Sequence, residues 1–195
     1  MRTVIVIAAA AAFSVVGCSS ETVVNTGEWE SSTATSTSAA PPLPPTNPAL
    51  LANAFDFVEH PDGQAAYYFM TPSGRWRCAI LPRNRAGCQA MGGALSIAGA
   101  PDTVPDAAGQ ETAPNAIVIE PEGDAHFAAV DGAEFTPADP ANVLPFNRTL
   151  VVARFRCNIQ EASGVSCLSE QSGKGFTFSS DGYLPQYTEV PLDAP

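Results

Sequence analysis

Positive charge is scarce in this chain. Nine Lys and Arg stand against 20 Asp and Glu, a formal net charge of −11 over 195 residues, and lysine occurs once, at Lys174. So acidic a body is a poor partner for nucleic acid, and as a whole it is repelled by anionic lipid. Histidine is nearly absent. His60 and His126 fall in different segments, so neither a metal site nor a cofactor is indicated. No CxxC pair occurs, which argues against dithiol redox chemistry. There is no GxSxG elbow and no SxxK pair, so no catalytic residue is assigned. The SGKGF stretch at 172–176 lacks the upstream glycine of a phosphate loop. Glu120, Glu122 and Asp124 alternate around a turn without the spacing of a calcium loop.

Long apolar runs are missing as well. The longest, VIVIAAAAAFSVV from Val4 to Val16, covers about 13 residues, the size of a signal h-region and too short to span a bilayer. Arg2 precedes it, and it ends in VVGC, with Gly17 before Cys18. This resembles a bacterial lipobox. It predicts a signal peptide over 1–17, cleavage before Cys18, and a lipid on that cysteine. The mature chain would then sit on the outer face of the cytoplasmic membrane, where disulfides persist. Loss of residues 1–17 removes Arg2 and no acid, so 8 basic against 20 acidic residues leave −12. Attachment to the membrane must therefore come from the lipid.

Residues 18–47 read as a tether. SSTATSTSAAPPLPPTNP, Ser31 to Pro48, has almost nothing to bury. About 30 such residues span roughly 30 Å on average. A single extracytoplasmic domain is expected over 48–195. Asn47-Pro48 is a helix-start signal, and Leu50, Leu51, Ala54, Phe55 and Val58 recur at helical spacing, which predicts one short helix over about 48–58.

Beyond His60 the pattern is that of strands. YYFM, RWRCAI, GCQAM, AIVIE, AHFAAV, LVVARFRCNI, VSCL and GFTFS are short apolar or alternating runs, separated by turn signals such as PSG, PEGD, SG and DG. They predict an all-β fold, mainly antiparallel, as a sandwich or small barrel. The stretch 92–114 reads as a long loop, and 135–147 as a second irregular one.

Two strands echo each other. RWRCAI (75–80) and RFRCNI (154–159) each place a cysteine between an aromatic and an isoleucine, and each is followed by a cysteine ten positions on. Period-2 sorting puts Trp76, Cys78 and Ile80 on one face and Arg75 and Arg77 on the other. It puts Phe155, Cys157 and Ile159 inward and Arg154 and Arg156 outward. With Cys18 assigned to lipid, four cysteines remain. Directly opposed residues of a hairpin suit a disulfide, so Cys78–Cys88 and Cys157–Cys167 are expected. The rival pairing crosses between the repeats, for instance Cys78–Cys167.

TPSGRWRCAI (71–80), GC at 87–88, FRC, GVSC (164–167), SGKGF (172–176) and DGY (181–183), with LPFN at 144–147 between them, resemble an actinobacterial, mycobacterial-type exported lipoprotein domain. The resemblance spans about 65–183. Arg75 stands where the family pattern has asparagine, and an extra central cysteine pair of the family is missing. The resemblance implies export and no activity.

All eight basic residues of the mature chain lie in the two cysteine segments. If the two hairpins are neighbours, Arg75, Arg77, Arg83, Arg85, Arg154 and Arg156 form a basic patch on an acidic body. Arginine's planar fork suits phosphate and carboxylate. The functional expectation is a non-enzymatic binding module for an anionic cell-envelope polymer, or for another envelope protein. The alternative is an envelope hydrolase acting on glycan or peptidoglycan.

Overall fold

A computed structural model describes residues 42–43, 45–132, 134–137 and 140–195, all within one folded unit. The expected signal peptide, Cys18 and the tether up to residue 41 lie outside the described residues.

The chain first lays down β1 (Val58–Glu59), β2 (Ala66–Met70), β3 (Trp76–Leu81) and β4 (Arg85–Ala90). The long loop that follows carries a two-residue hairpin, β5 (Val104–Pro105) and β6 (Glu111–Thr112). β7 (Ala116–Ile119) and β8 (His126–Ala128) then complete a six-stranded sheet in the order β1-β2-β3-β4-β7-β8. β9 (Arg148–Val152), β10 (Phe155–Gln160), β11 (Gly164–Ser169), β12 (Gly175–Ser179) and β13 (Gly182–Leu184) form a second sheet, again in chain order. Every pairing within the two sheets is antiparallel. The sheets face each other across one core, so the all-β expectation resolves to a sandwich.

Its inner layer is the set that alternation predicts. Phe69, Ile80, Ile117 and Ile119 of the first sheet pack with Leu150, Phe155, Ile159, Phe176 and Phe178 of the second, all essentially buried. The Trp76 ring meets Phe178 edge-on at 4.7 Å. Both disulfides form as expected within their hairpins: Cys78 lies opposite Cys88 and Cys157 opposite Cys167, with Cα separations of 4.0 and 4.1 Å. Each closes a loop worth nearly 3 kcal/mol in the chain-entropy account.

Two sequence expectations change. The helix over 48–58 is replaced by two single 3-10 turns, Pro48–Leu50 and Ala54–Asp56. Asn47 caps the first and Asn53 the second, each accepting from the backbone N–H two residues on. Between them the backbone is extended, and Ala52 N donates to Thr149 O at 2.9 Å. Pairing with the edge of β9 wins over helix propagation, which is weak over so few residues.

LVVARFRCNI is not one strand. Val152 pairs with Phe155 across a two-residue turn, and Ala153 and Arg154 take φ of 52° and 66°. That is the backbone of the tightest hairpin turn, normally signalled by Asn or Gly at these positions. Arg154 therefore sits in the turn rather than on a strand face.

Both outer faces are covered, by unlike materials. Over the first sheet, Val130, Phe135 and Ala141 pack on Tyr68, Ala79, Ala116 and Val118. Gly87 makes room for them: a Cβ there would meet Ile117 O at 2.6 Å and Phe135 Cζ at 2.9 Å. Over the second sheet the buried outward residues are mostly polar, namely Thr149, Arg156, Asn158, Gln160, Ser166 and Thr177, with Leu168, opposite Arg156, the apolar exception.

Gly164 opens β11 at φ 87°, and a Cβ there would lie 2.1 Å from Phe178 O. Neither the backbone angle nor the carbonyl can yield cheaply. Gly164→Ala is expected to lower unfolding free energy by about 2–4 kcal/mol, measured by urea titration. A change under about 0.5 kcal/mol would mean that the β11–β12 register differs from the one described.

Candidate functional site

The six arginines of the expected patch do not form one surface. Alternation puts Trp76, Cys78 and Ile80 inward, so Arg77 faces out from the first sheet, opposite Met70 and Gln89. Arg85 shares that face and pairs with Glu134 at 2.9 Å. Arg156 faces out from the second sheet. The two hairpins are layered through their cystines rather than set side by side, so these outer faces look in opposite directions. Arg75, Arg83 and Arg154 are exposed and lie in turns, Arg83 and Arg154 with φ of 63° and 66°.

Arg156 is the opposite of a surface charge. It is 6% exposed. Its Nε and Nη2 donate to Glu170 Oε1 at 3.1 and 2.8 Å, and its Nη1 donates to Glu189 Oε2 at 3.2 Å and to Thr46 Oγ1 at 2.7 Å. Burial works against the charged guanidinium, but the hydrogen bond and charge of Glu170, with Glu189 beyond it, more than offset this, and the proton is held more tightly than in free arginine. Glu189 is the less well compensated acid. Its pKa is raised because burial outweighs the attraction of Arg156. Beside it the Tyr187 hydroxyl is pushed up, first by burial and then by the charge of Glu189. The chemistry here is structural: one buried cation joins β10, the turn after β11, the N-terminal flank and the C-terminal segment.

The acidic turn 120–124 also has structural work. Ser169 Oγ donates to Pro121 O at 2.8 Å, Gln171 Nε2 to Glu122 Oε1 at 2.9 Å, and Lys174 pairs with Asp124 at 2.8 Å. Tyr183 OH donates to Ala125 O at 3.1 Å, with its ring against Phe127. These contacts clasp the two sheets at one end. His126 lies 3.6 Å from Glu120. Among the described residues, no group of three or more His, Cys, Asp or Glu is arranged to hold a metal ion.

One of the predicted arginines borders a concavity. A cleft of about 170 Å³ opens where β3 begins, walled by Thr71, Ser73, Arg75, Trp76, Phe146, Glu161, Val165, Phe178 and Ser180 among others. The TPSG turn builds its rim. Gly74 N donates to Thr71 O at 2.8 Å, and Thr71 N to Trp76 O at 3.1 Å. Thr71 Oγ1 bonds Ser73 Oγ at 3.1 Å and accepts from Trp76 N at 3.3 Å. The rim is thus fixed on both sides of Arg75, whose guanidinium makes no hydrogen bond or ion pair among the described residues. Glu161 is likewise exposed, and Phe146 leaves 42% of its surface open.

A larger cavity of about 530 Å³ lies between β8 and the β5–β6 hairpin, but its one arginine, Arg85, is engaged by Glu134 and the rest of its charged rim is mostly acidic. Phe146 and Glu161 were missed by sequence reasoning. The LPFN and GVSC motifs that flank the cleft were visible, but nothing in them announced that they meet the TPSG turn.

The raised pKa of Glu189 has a definite sign. The folded state holds this proton more tightly than the unfolded chain, so the group's contribution to stability is full in acid and is lost as pH rises through the folded pKa. Glu189→Gln removes that loss. From about pH 4 to about pH 7 the urea midpoint of the parent is expected to fall relative to that of the variant. A slope of opposite sign would mean that Arg156 dominates Glu189. Breaking the cluster at its centre is costlier, and Arg156→Ala should destabilise by about 3–5 kcal/mol.

Comparison with family models, with curated proteins and with solved structures returned no match to the chain, so its functional reading rests on this geometry.

Proposed function

We propose that the chain is a lipid-anchored, extracytoplasmic binding module, held on the outer face of the cytoplasmic membrane through Cys18, that offers the Arg75 cleft to an anionic cell-envelope ligand. Two fully buried cystines support an oxidising compartment. The observation that carries the ligand class is Arg75: of the six candidate arginines it alone combines an unengaged guanidinium with the wall of a cleft and an exposed aromatic ring. A guanidinium beside apolar surface binds carboxylate or phosphate more strongly than one in open solvent. The volume suits one anionic group with its neighbouring ring rather than a whole polymer. The binding module of the original expectation is kept, with its basic face narrowed to one residue.

Two measurements test this. In the native host, Cys18→Ala is expected to move the protein from the membrane fraction to the soluble fraction. Full-chain protein in detergent is then titrated with a phosphate-bearing wall polymer, a carboxylated glycan, and vesicles containing anionic phospholipid. Arg75→Ala is expected to weaken binding roughly tenfold or more, Arg83→Ala to leave it unchanged, and binding to weaken with salt. Equal binding by all three proteins would sink the Arg75 assignment. Release of fragments from labelled peptidoglycan would replace binding by the hydrolase reading.

A further inference from the structure

After β13 the chain leaves the sheet at Leu184-Pro185 and crosses back over the outer face of the second sheet without adding a strand. Four contacts from the floor read its main chain. Thr177 Oγ1 donates to Gln186 O at 2.8 Å, Asn158 Nδ2 to Thr188 O at 2.9 Å, and Gln160 Nε2 to Thr188 O and Glu189 O at 3.1 and 3.3 Å. Side chains finish the seat. Thr177 Oγ1 meets Thr188 Oγ1 at 2.9 Å, Asn158 donates to Tyr187 OH at 2.8 Å, and Arg156 holds Glu189. Val190, 3% exposed, is the one fully buried apolar side chain of the segment.

A floor of this kind is stable in two conditions. Covered, its donors are satisfied by carbonyls; uncovered, they are satisfied by water, with Leu168 the one buried apolar side chain of the floor to be laid open. An apolar face has no such second condition. The covering segment leaves β13 at a proline and contributes no strand to either sheet, so it can lift without breaking any strand pairing. Most of the floor's contacts are to main chain, yet the sequence that fits it in this structure is residues 185–190, with Tyr187, Thr188, Glu189 and Val190 each seated.

We propose that the outer face of the second sheet is an exchange site for this C-terminal strap. The occupant that replaces a chain's own strap is the same segment of a second copy. Each copy then covers the floor of the other in a closed, two-fold pair whose contacts repeat those within one chain.

The test uses the 2.9 Å approach of Thr177 and Thr188. Full-chain Thr177→Cys and Thr188→Cys proteins are mixed, incubated, mildly oxidised and resolved without reductant. The double variant serves as the geometric control, and peptide mapping identifies the bond. The expected result is a bond between the two introduced thiols on different chains, growing with concentration and time of mixing. Asn158→Ala, which removes the donor to Tyr187 OH and Thr188 O, should speed its appearance roughly tenfold. If the double variant closes within each chain at every concentration while the mixture never links, exchange is refuted. If the double variant does not close at all, the strap is not seated over β12 and the proposal falls with it.

Discussion

Everything else in this molecule follows from the register of two hairpins. A strand shifted by one residue sends its whole inner set to the other face. Here each hairpin carries a cystine between directly opposed residues, with Cα atoms 4.0 and 4.1 Å apart. A slipped register would pull those sulfurs apart, so the covalent bond selects the frame in which Trp76, Ile80, Phe155 and Ile159 point inward. The apolar layer then assembles around cystines that are fully buried. The same selection decides where every polar neighbour goes. Arg77 is committed to one outside of the sandwich and Arg156 to the other.

The two outsides solve their burial differently. The first is small and apolar, with Ala79, Gly87 and Val118 under Phe135. The apolar part of its cover is held by the exclusion of water, which is strong and non-directional, and the bonds of Asn115 to Val130, Gln89 to Gly132 and Arg85 to Glu134 pin its edges. The second is polar, and its cover is held by directional bonds to the main chain and by a buried cation with two carboxylates. Such a cation adds little net stability when complete and costs much when broken. Its value is in position: Thr46, Glu170 and Glu189 meet at Arg156 and at no other described residue. The folded unit's two chain ends are therefore fastened to the same strand.

Sequence reasoning reached the inner layer and stopped at the outer ones. Alternation put Trp76, Cys78 and Ile80, and Phe155, Cys157 and Ile159, on the inner face where they lie, though it misplaced Arg154, and the spacing of ten gave both disulfides. It failed where the deciding partner was remote. Arg156 alternates with Cys157 just as Arg77 alternates with Cys78, and nothing within β10 says that a segment thirty residues later lies over it. The polar run of Asn158, Gln160, Ser166 and Thr177 reads as a wet face, because strands buried on both sides usually read as apolar throughout. The hairpin inside LVVARFRCNI was hidden for a different reason. Its turn residues, Ala153 and Arg154, are poor sequence markers for positive φ, and strong pairing on either side imposes the turn on them.

The cleft bears on why so acidic a chain keeps its few cations where it does. Arg85, Arg156 and Lys174 are engaged by carboxylates, and Arg148 donates to the Ala49 carbonyl. These hold parts of the fold together. Arg83 and Arg154 sit on protruding turns, where water screens a charge almost completely and a ligand would gain little from it. Arg75 differs in its surroundings rather than its exposure. The TPSG turn fixes its backbone, and Trp76, Phe146 and Phe178 line the same concavity. Low-dielectric walls concentrate the field of a single charge into the space they enclose. Arg85, Arg148 and Lys174 also line concavities, but each is engaged within the fold, whereas Arg75 shares its cleft with Glu161 and makes no hydrogen bond or ion pair through its guanidinium among the described residues.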